Sequence, residues 1–293
     1  MLGKYGSVLF LAVCNLLISV VKAEPSQDDN TQDTLFLREE SILSDKGDIS
    51  SELGIFFRRD SRTEVGINNQ VSSVNEETSF LLATFRLGIN RRSELSVSAP
   101  YQYVREESIS LNGAQEDSNS GWGDVIISFK HQLWFEHGGY PDLVVGFSID
   151  SDTGDIDVTG GPSAGSGFWE YSVSALAAKS MDPAVYFIHL GYQFADSEEI
   201  DGLLRRPGNT FQYRFGAGYA LSANVMLSFQ LTGDVIHETQ VGQTRFPSEH
   251  QISFQFANTI ILGRNAFIEP LISFGLTQEA PDVLFGLSMP ILF

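Results

Sequence analysis

Charged and amide side chains recur in this chain on one face of segments whose other face is apolar. Glu94, Asp124, Lys130, Gln132, Glu170, His189, Gln193, Gln212, Arg214, Gln230, Asp234 and Gln255 all occupy such positions. If that face encloses a space, the carboxylates look across it at Lys130 and Arg214, and the groups can sort solutes by charge and hydrogen bonding. The same groups can equally close a filled interior with salt bridges. A second constellation is Asp150, Asp152, Asp155 and Asp157 in one glycine-containing loop. Spaced carboxylates can hold Ca²⁺, but the position-12 Glu of an EF-hand loop is missing, so the run reads as a solvated acidic loop and no metal site is assigned. His131 lies among Phe129 and Leu133, where a histidine activating a serine could sit, yet no sequence feature ties a particular serine to it. There is no phosphate loop and no His-Glu-x-x-His pair. The chain therefore offers no catalytic residue and no cofactor site, and it reads as a protein that is not an enzyme.

The elements that would position these groups are strands. Apolar residues alternate with small or polar ones, the two-residue period of a strand, over residues 49–58, 78–90, 93–105, 122–136, 142–150, 168–179, 184–195, 209–220, 224–237, 251–262, 266–277 and 283–293. The second segment, for example, sets Leu81, Ala83, Phe85, Leu87 and Ile89 against Thr84, Arg86 and Gly88. Connections alternate between short ones (90–92, 137–141, 180–183, 221–223, 263–265) and mostly long, acidic or glycine-rich ones. The loop near residues 279–282 is the exception. A soluble sandwich alternates too, but its connections need not alternate in length. The pattern predicts an all-β fold: a closed antiparallel transmembrane β-barrel of about 12 strands, with short periplasmic turns and longer extracellular loops.

Both ends agree with that expectation. Residues 1–23 have a basic start (Lys4), an apolar run from about Val8 to Val21 and small residues before Glu24, which predicts a signal peptide cleaved after Ala23. The apolar run is too short to span a bilayer as a helix. Residues 24–48 are polar and acidic and read as a periplasmic N-terminal segment, leaving 49–293 for the barrel. The last eleven residues put Val283, Phe285, Leu287, Met289, Ile291 and Phe293 on one face. An uncharged apolar strand of this kind is safe only when its edge is paired. It resembles the last strand of bacterial outer-membrane barrels, in which a terminal aromatic is read by the barrel assembly machinery; Phe293, Ile291 and Met289 would be that signal. Loss of Lys4 and Lys22 with the signal peptide moves the net charge from −19 to −21. Such an acidic chain repels nucleic acid. The single Cys14 excludes a disulfide framework within the chain.

Several short segments together resemble a known family of outer-membrane proteins, the putative meta-pathway of phenol degradation family. They are Leu35-Phe36-Leu37-Arg38-Glu39-Glu40, Glu94-Leu95-Ser96-Val97-Ser98-Ala99-Pro100-Tyr101, Gly121-Trp122-Gly123-Asp124-Val125, Asp150-Ser151-Asp152-Thr153-Gly154-Asp155, Gly165-Ser166-Gly167-Phe168-Trp169-Glu170-Tyr171 and Gly191-Tyr192-Gln193-Phe194. The family has Leu-Pro before Thr-Gly-Asp where this chain has Ser151-Asp152, so the resemblance carries over only the position of that loop. It implies an outer-membrane barrel that passes small solutes, hydrophobic or aromatic ones among them, and brings no catalytic residue with it. The expected surroundings are outer-membrane lipid, the assembly machinery and a small-molecule solute. Two other readings stay open at this point: a structural or surface-interaction barrel without transport, and an outer-membrane lipase.

Overall fold

The computed structural model of the protein describes residues 43, 46–65, 71–110, 113–156, 161–200, 202–263 and 265–293. The expected signal peptide and nearly all of the 24–48 segment lie outside the described residues. The strands, in chain order, are β1 (Ile49–Val65), β2 (Val71–Asn90), β3 (Ser93–Ser110), β4 (Gly113–Trp122), β5 (Ile126–Trp134), β6 (Asp142–Asp150), β7 (Glu170–Met181), β8 (Ala184–Ala195), β9 (Glu198–Ile200), β10 (Leu203–Arg206), β11 (Thr210–Ser222), β12 (Val225–Ile236), β13 (Thr239–Val241), β14 (Thr244–Phe246), β15 (Glu249–Ile261), β16 (Phe267–Gly275) and β17 (Val283–Leu292).

Twelve of these strands form one closed antiparallel ring among the described residues: β1, β2, β3, β5, β6, β7, β8, β11, β12, β15, β16 and β17. The seam lies between the first and last strands, from Ser50↔Leu292 to Arg59↔Val283. It is extended by Phe293, whose N–H donates to the Ile49 carbonyl at 2.9 Å. Every expected segment contributes one ring strand. Among the described residues closure leaves the twelve-stranded ring itself no open edge, which is the condition for a sheet to cross lipid.

The two faces of the ring separate by chemistry. Ile55 and Phe85 are 54% and 61% exposed, whereas Glu94 is 3% and Thr259 1% exposed. An apolar outside over a polar inside inverts a soluble protein and fits a barrel in a membrane. The inside nevertheless holds large apolar groups. Phe56 on β1 stacks on Phe80 of β2 with ring centroids 4.8 Å apart and planes 14° from parallel. Gly286 on β17 leaves room for Phe56: a Cβ there would lie 2.7 Å from Phe56 Cε1 and 2.9 Å from Leu271 Cγ.

Three differences from the sequence-based reading have physical causes. The polar stretches after residues 58 and 105 are not loops: β1 and β2 stay paired as far as Val65↔Val71, and β3 runs to Ser110 and returns as β4. Beyond the lipid both faces of a ribbon are wet, so the apolar/polar alternation disappears while backbone pairing continues. Ion pairs such as Arg58–Glu76 at 2.9 Å and Arg105–Glu116 at 2.8 Å decorate this part. The Arg105 hydrogen bond holds the Glu116 carboxyl below its ordinary range. Second, β5 begins at Ile126 rather than at residue 122. β3 pairs with β5 only up to Ser98↔Ile126 and with β4 from Tyr101↔Trp122. The change falls at Pro100, which has no N–H to donate; its carbonyl accepts the Gly123 N–H at 2.9 Å. Third, the long connections on either side of β11 and β12 contain β9, β10, β13 and β14, which form a separate four-stranded sheet through Arg205↔Val241 and Arg206↔Gln240.

At the opposite end the turns are tight. Gly138 has φ of 55°, left-handed backbone that suits glycine, between β5 and β6. Glu136 beside it accepts from Lys179 Nζ (2.7 Å) and from the Ser180 N–H (2.9 Å). Burial pushes this carboxyl up, but the bonds from Lys179 and Ser180 outweigh it and hold the pKa below the usual value.

The Phe56 cradle gives a stability test. Gly286→Val drives a side chain into Phe56 and Leu271 and is expected to destabilise the barrel by about 1–3 kcal/mol, the usual size for overpacking. The denaturant midpoint of the refolded protein in detergent measures this, and an unchanged midpoint would show that the stack is free to move aside.

Candidate functional site

The interior is best built row by row, because antiparallel pairing fixes which inward side chains are neighbours. One row runs Glu94–Lys130–Gly146–Ser174–Gly191–Gln212–Asp234 across β3, β5, β6, β7, β8, β11 and β12. The next runs Gln132–Val144–Leu176–His189–Arg214–Thr232. Gly146, Ser174 and Gly191 are consecutive and small, so the first row sinks in its middle. Val144 and Leu176 form the adjoining wall of that depression, and Lys130 stands on one side of it with His189 and Arg214 on the other. The result is a cavity of about 100 Å³ lined by Lys130, Val144, Gly146, Ser174, Leu176, His189 and Arg214.

Toward the long-loop end the interior is acidic. Asp150 closes β6 opposite Glu170, which opens β7. Glu170 accepts a hydrogen bond from Gln193, and Gln193 accepts one from Gln212 at 3.4 Å. Asp124 is buried just before β5, and both its oxygens are used: Oδ1 accepts the Gly154 N–H at 2.7 Å and Oδ2 the Ser166 N–H at 2.5 Å. The loop between β6 and β7 is bound further to the β4–β5 corner. Asp155 Oδ2 accepts the Trp122 N–H at 2.9 Å, the Val125 N–H donates to Ser151 Oγ at 3.1 Å, and Gln102 donates to the Ala164 carbonyl. Gly154 and Gly165 touch so closely that a Cβ on Gly165 would lie 2.6 Å from Gly154 Cα.

Toward the short-turn end the interior is packed. Glu94, Thr259, Glu269 and Ser288 are all buried. Glu269 accepts from Thr259 Oγ1 at 3.4 Å and from Ser288 Oγ at 3.3 Å. Asp142 Oδ1 accepts from Gln132 Nε2 at 2.8 Å and from the Glu136 N–H at 2.6 Å.

The sequence-predicted residues therefore fall into three groups. Lys130, His189 and Arg214 come together at one cavity. Glu170 and Asp124 stand near one another at the long-loop end, Asp124 as a clasp on a loop. Glu94 lies opposite Lys130, Gln230 is buried on β12, and Asp234 lies opposite Gln212. Of the acidic run, Asp155 is engaged with Trp122, Asp152 is exposed and Asp157 lies outside the described residues; among the described residues no group of His, Cys, Asp and Glu could hold a metal ion. Sequence reasoning missed Val144, Gly146, Ser174 and Leu176 as cavity lining. Their signal was present: they share the inward parity of their strands, and the row through Lys130 turns small there.

His131 does have a serine partner: Ser93 Oγ lies 2.9 Å from His131 Nδ1, across a directly paired position of β3 and β5. Ser93 is 4% exposed. A nucleophile so covered has no approach for a substrate, and among the described residues no third group orients the imidazole.

Residues 28–292 match the family described as "Putative MetA-pathway of phenol degradation". The chain belongs to that family. Among solved structures it is similar to an outer membrane channel from Pseudomonas putida F1, with a TM-score of 0.70 and 12% identity over 92% of this chain and 100% of that one. It is also similar to the NanC porin, with a TM-score of 0.50 and 8% identity over 82% of this chain and 98% of that one. At these identities the likeness is one of fold, and it agrees with the phenol-degradation family chain being an outer-membrane-type barrel.

The Asp124 clasp can be tested directly. Asp124→Ala removes a charged acceptor from two backbone N–H groups, each such bond contributing about 1.5–3 kcal/mol. Amide exchange at Gly154 and Ser166 is expected to rise by at least about tenfold, the factor that 1.4 kcal/mol represents. Unchanged protection at both amides would show that the loop is held by its other contacts.

Proposed function

We propose that this protein resides in the bacterial outer membrane and passes small solutes, hydrophobic or aromatic ones among them, through the interior of its barrel. The carrying observation is the polar cavity inside a closed ring whose outer surface is apolar. The fold likeness to an outer membrane channel and the family's description in terms of phenol degradation support the same reading. In it, Glu94, Asp124, Lys130, Glu170, His189, Arg214, Gln230 and Asp234 line the path. An N-terminal signal peptide delivers the chain across the inner membrane, and the barrel assembly machinery inserts it.

Transport is tested with purified mature protein in liposomes and planar bilayers, with and without residues 24–48. Solute uptake or stepwise conductance in either form is the expected result. No uptake and no conductance from both forms would overturn solute passage and leave the structural-barrel reading.

Assembly is tested separately. The terminal aromatic supplies the last rung of the seam through its hydrogen bond to Ile49. Deleting Phe293 is expected to lower the folded, heat-modifiable fraction in outer-membrane preparations several-fold while export to the periplasm continues. Equal folded fractions would remove Phe293 from the assembly signal.

A further inference from the structure

Resting on that reading, we propose that the mid-barrel cavity is an anion site: it takes the carboxylate of a small organic acid between Lys130, His189 and Arg214, with the acid's apolar body against Val144 and Leu176. The juxtaposition comes from two adjacent rows. Gly146 and Ser174 hollow the first row beside Lys130, and a Cβ on Gly146 would lie 2.5 Å from Ser174 Oγ and 3.9 Å from Lys130 Cγ, so any larger residue there would fill the hollow. In the second row His189 is directly paired with Leu176 on one side and Arg214 on the other. Val144 is 3% and Leu176 5% exposed, an apolar wall beside a cationic one.

Charge composition sharpens the choice of ligand. The chain carries 37 acids and 18 Lys and Arg, yet none of the described residues lining this cavity is an acid. The nearest carboxylates in the ladder, Glu94 opposite Lys130 and Asp234 opposite Gln212, stand on the flanks. Lys130 and Arg214 each make a further interaction within the protein, and an anion held between two like charges in a low-dielectric space offsets their repulsion. A guanidinium matches a carboxylate's two oxygens in a planar fork, while the ammonium acts as a point charge. Nδ1 of His189 is buried and makes no hydrogen bond among the described residues. A neutral phenol would use few of these donors, whereas a carboxylate can use several at once. The ~100 Å³ cavity takes the carboxylate and the carbons next to it, and its open side leaves the rest of a small ring or branched chain in the lumen.

The test compares benzoate with its neutral isostere benzamide and the cation benzylamine on the mature, detergent-solubilised protein. Ligand-observed NMR reports binding, and block of chloride current in planar bilayers reports passage. The expected result is benzoate binding at least about tenfold tighter than benzamide, with no benzylamine binding, because one charge-assisted contact accounts for roughly that factor. In Lys130→Gln/Arg214→Gln, with folding checked by heat-modifiable migration, the preference disappears and chloride permeability relative to sodium falls several-fold. If that variant does not fold, the three-ligand comparison on the wild type still decides. Equal binding of benzoate and benzamide, or no binding of either, overturns the anion site. Conductance without a benzoate preference overturns the site and leaves solute passage standing. A benzoate preference without conductance or uptake supports the site and counts against passage.

Discussion

The ring can exist in a membrane only because its first strand finds its last. Hydrocarbon offers no hydrogen-bond partner, so each backbone N–H and C=O within it must be matched inside the protein. The β1–β17 register supplies the final set of matches, and a slip of one residue there would set the inward face of one strand beside the outward face of the other. The prolines show how the ladder tolerates missing donors. Pairing between β15 and β16 lapses between Ala257↔Leu271 and Ile260↔Ile268, beside Pro270. There the Glu269 carboxylate reaches hydroxyls on both neighbouring strands, Thr259 and Ser288, so side chains bridge the lapse.

Closure also decides what the inward residues can do. Acids gather toward the long loops, cations meet in the middle, and toward the short turns the interior is tightly packed around Glu94 and Glu269. A solute entering from the long-loop end would thus meet three electrostatic environments in sequence. Steric room varies as well: rows rich in glycine and serine sink, while Phe56 and Phe80 rise from the opposite wall.

The architecture was largely legible in the sequence because a lipid-facing strand writes its period directly: one face must be apolar at every second position. All twelve ring strands were visible in that way. The stretches 106–121 and 59–77 were not, because β3, β4, β1 and β2 continue there with both faces in water. Pairing in that zone depends on backbone bonds and ion pairs such as Arg105–Glu116, which leave no hydropathy period. The candidate site was legible in parts. Lys130, His189 and Arg214 stood out as charges on inward faces, but that they share one cavity depends on inter-strand register, which no single strand records. Gly146 and Ser174 carry no charge to attract notice, and their importance is the space they leave. Asp124 looked like one more inward carboxylate. Its two backbone partners, Gly154 and Ser166, lie 30 and 42 residues away along the chain, beyond the reach of local pattern.

The small sheet of β9, β10, β13 and β14 ties together two connections that leave the ring at different places, one between β8 and β11 and the other between β12 and β15. Because Arg205 and Arg206 are laddered to Val241 and Gln240, those excursions share a hydrogen-bonded link. The two connections are thereby coupled through one sheet, although they leave the ring between different pairs of barrel strands. Its outer strands are only three residues long, too short to template pairing with another chain. What faces the surroundings there is one hydrogen-bonded sheet with blunt margins.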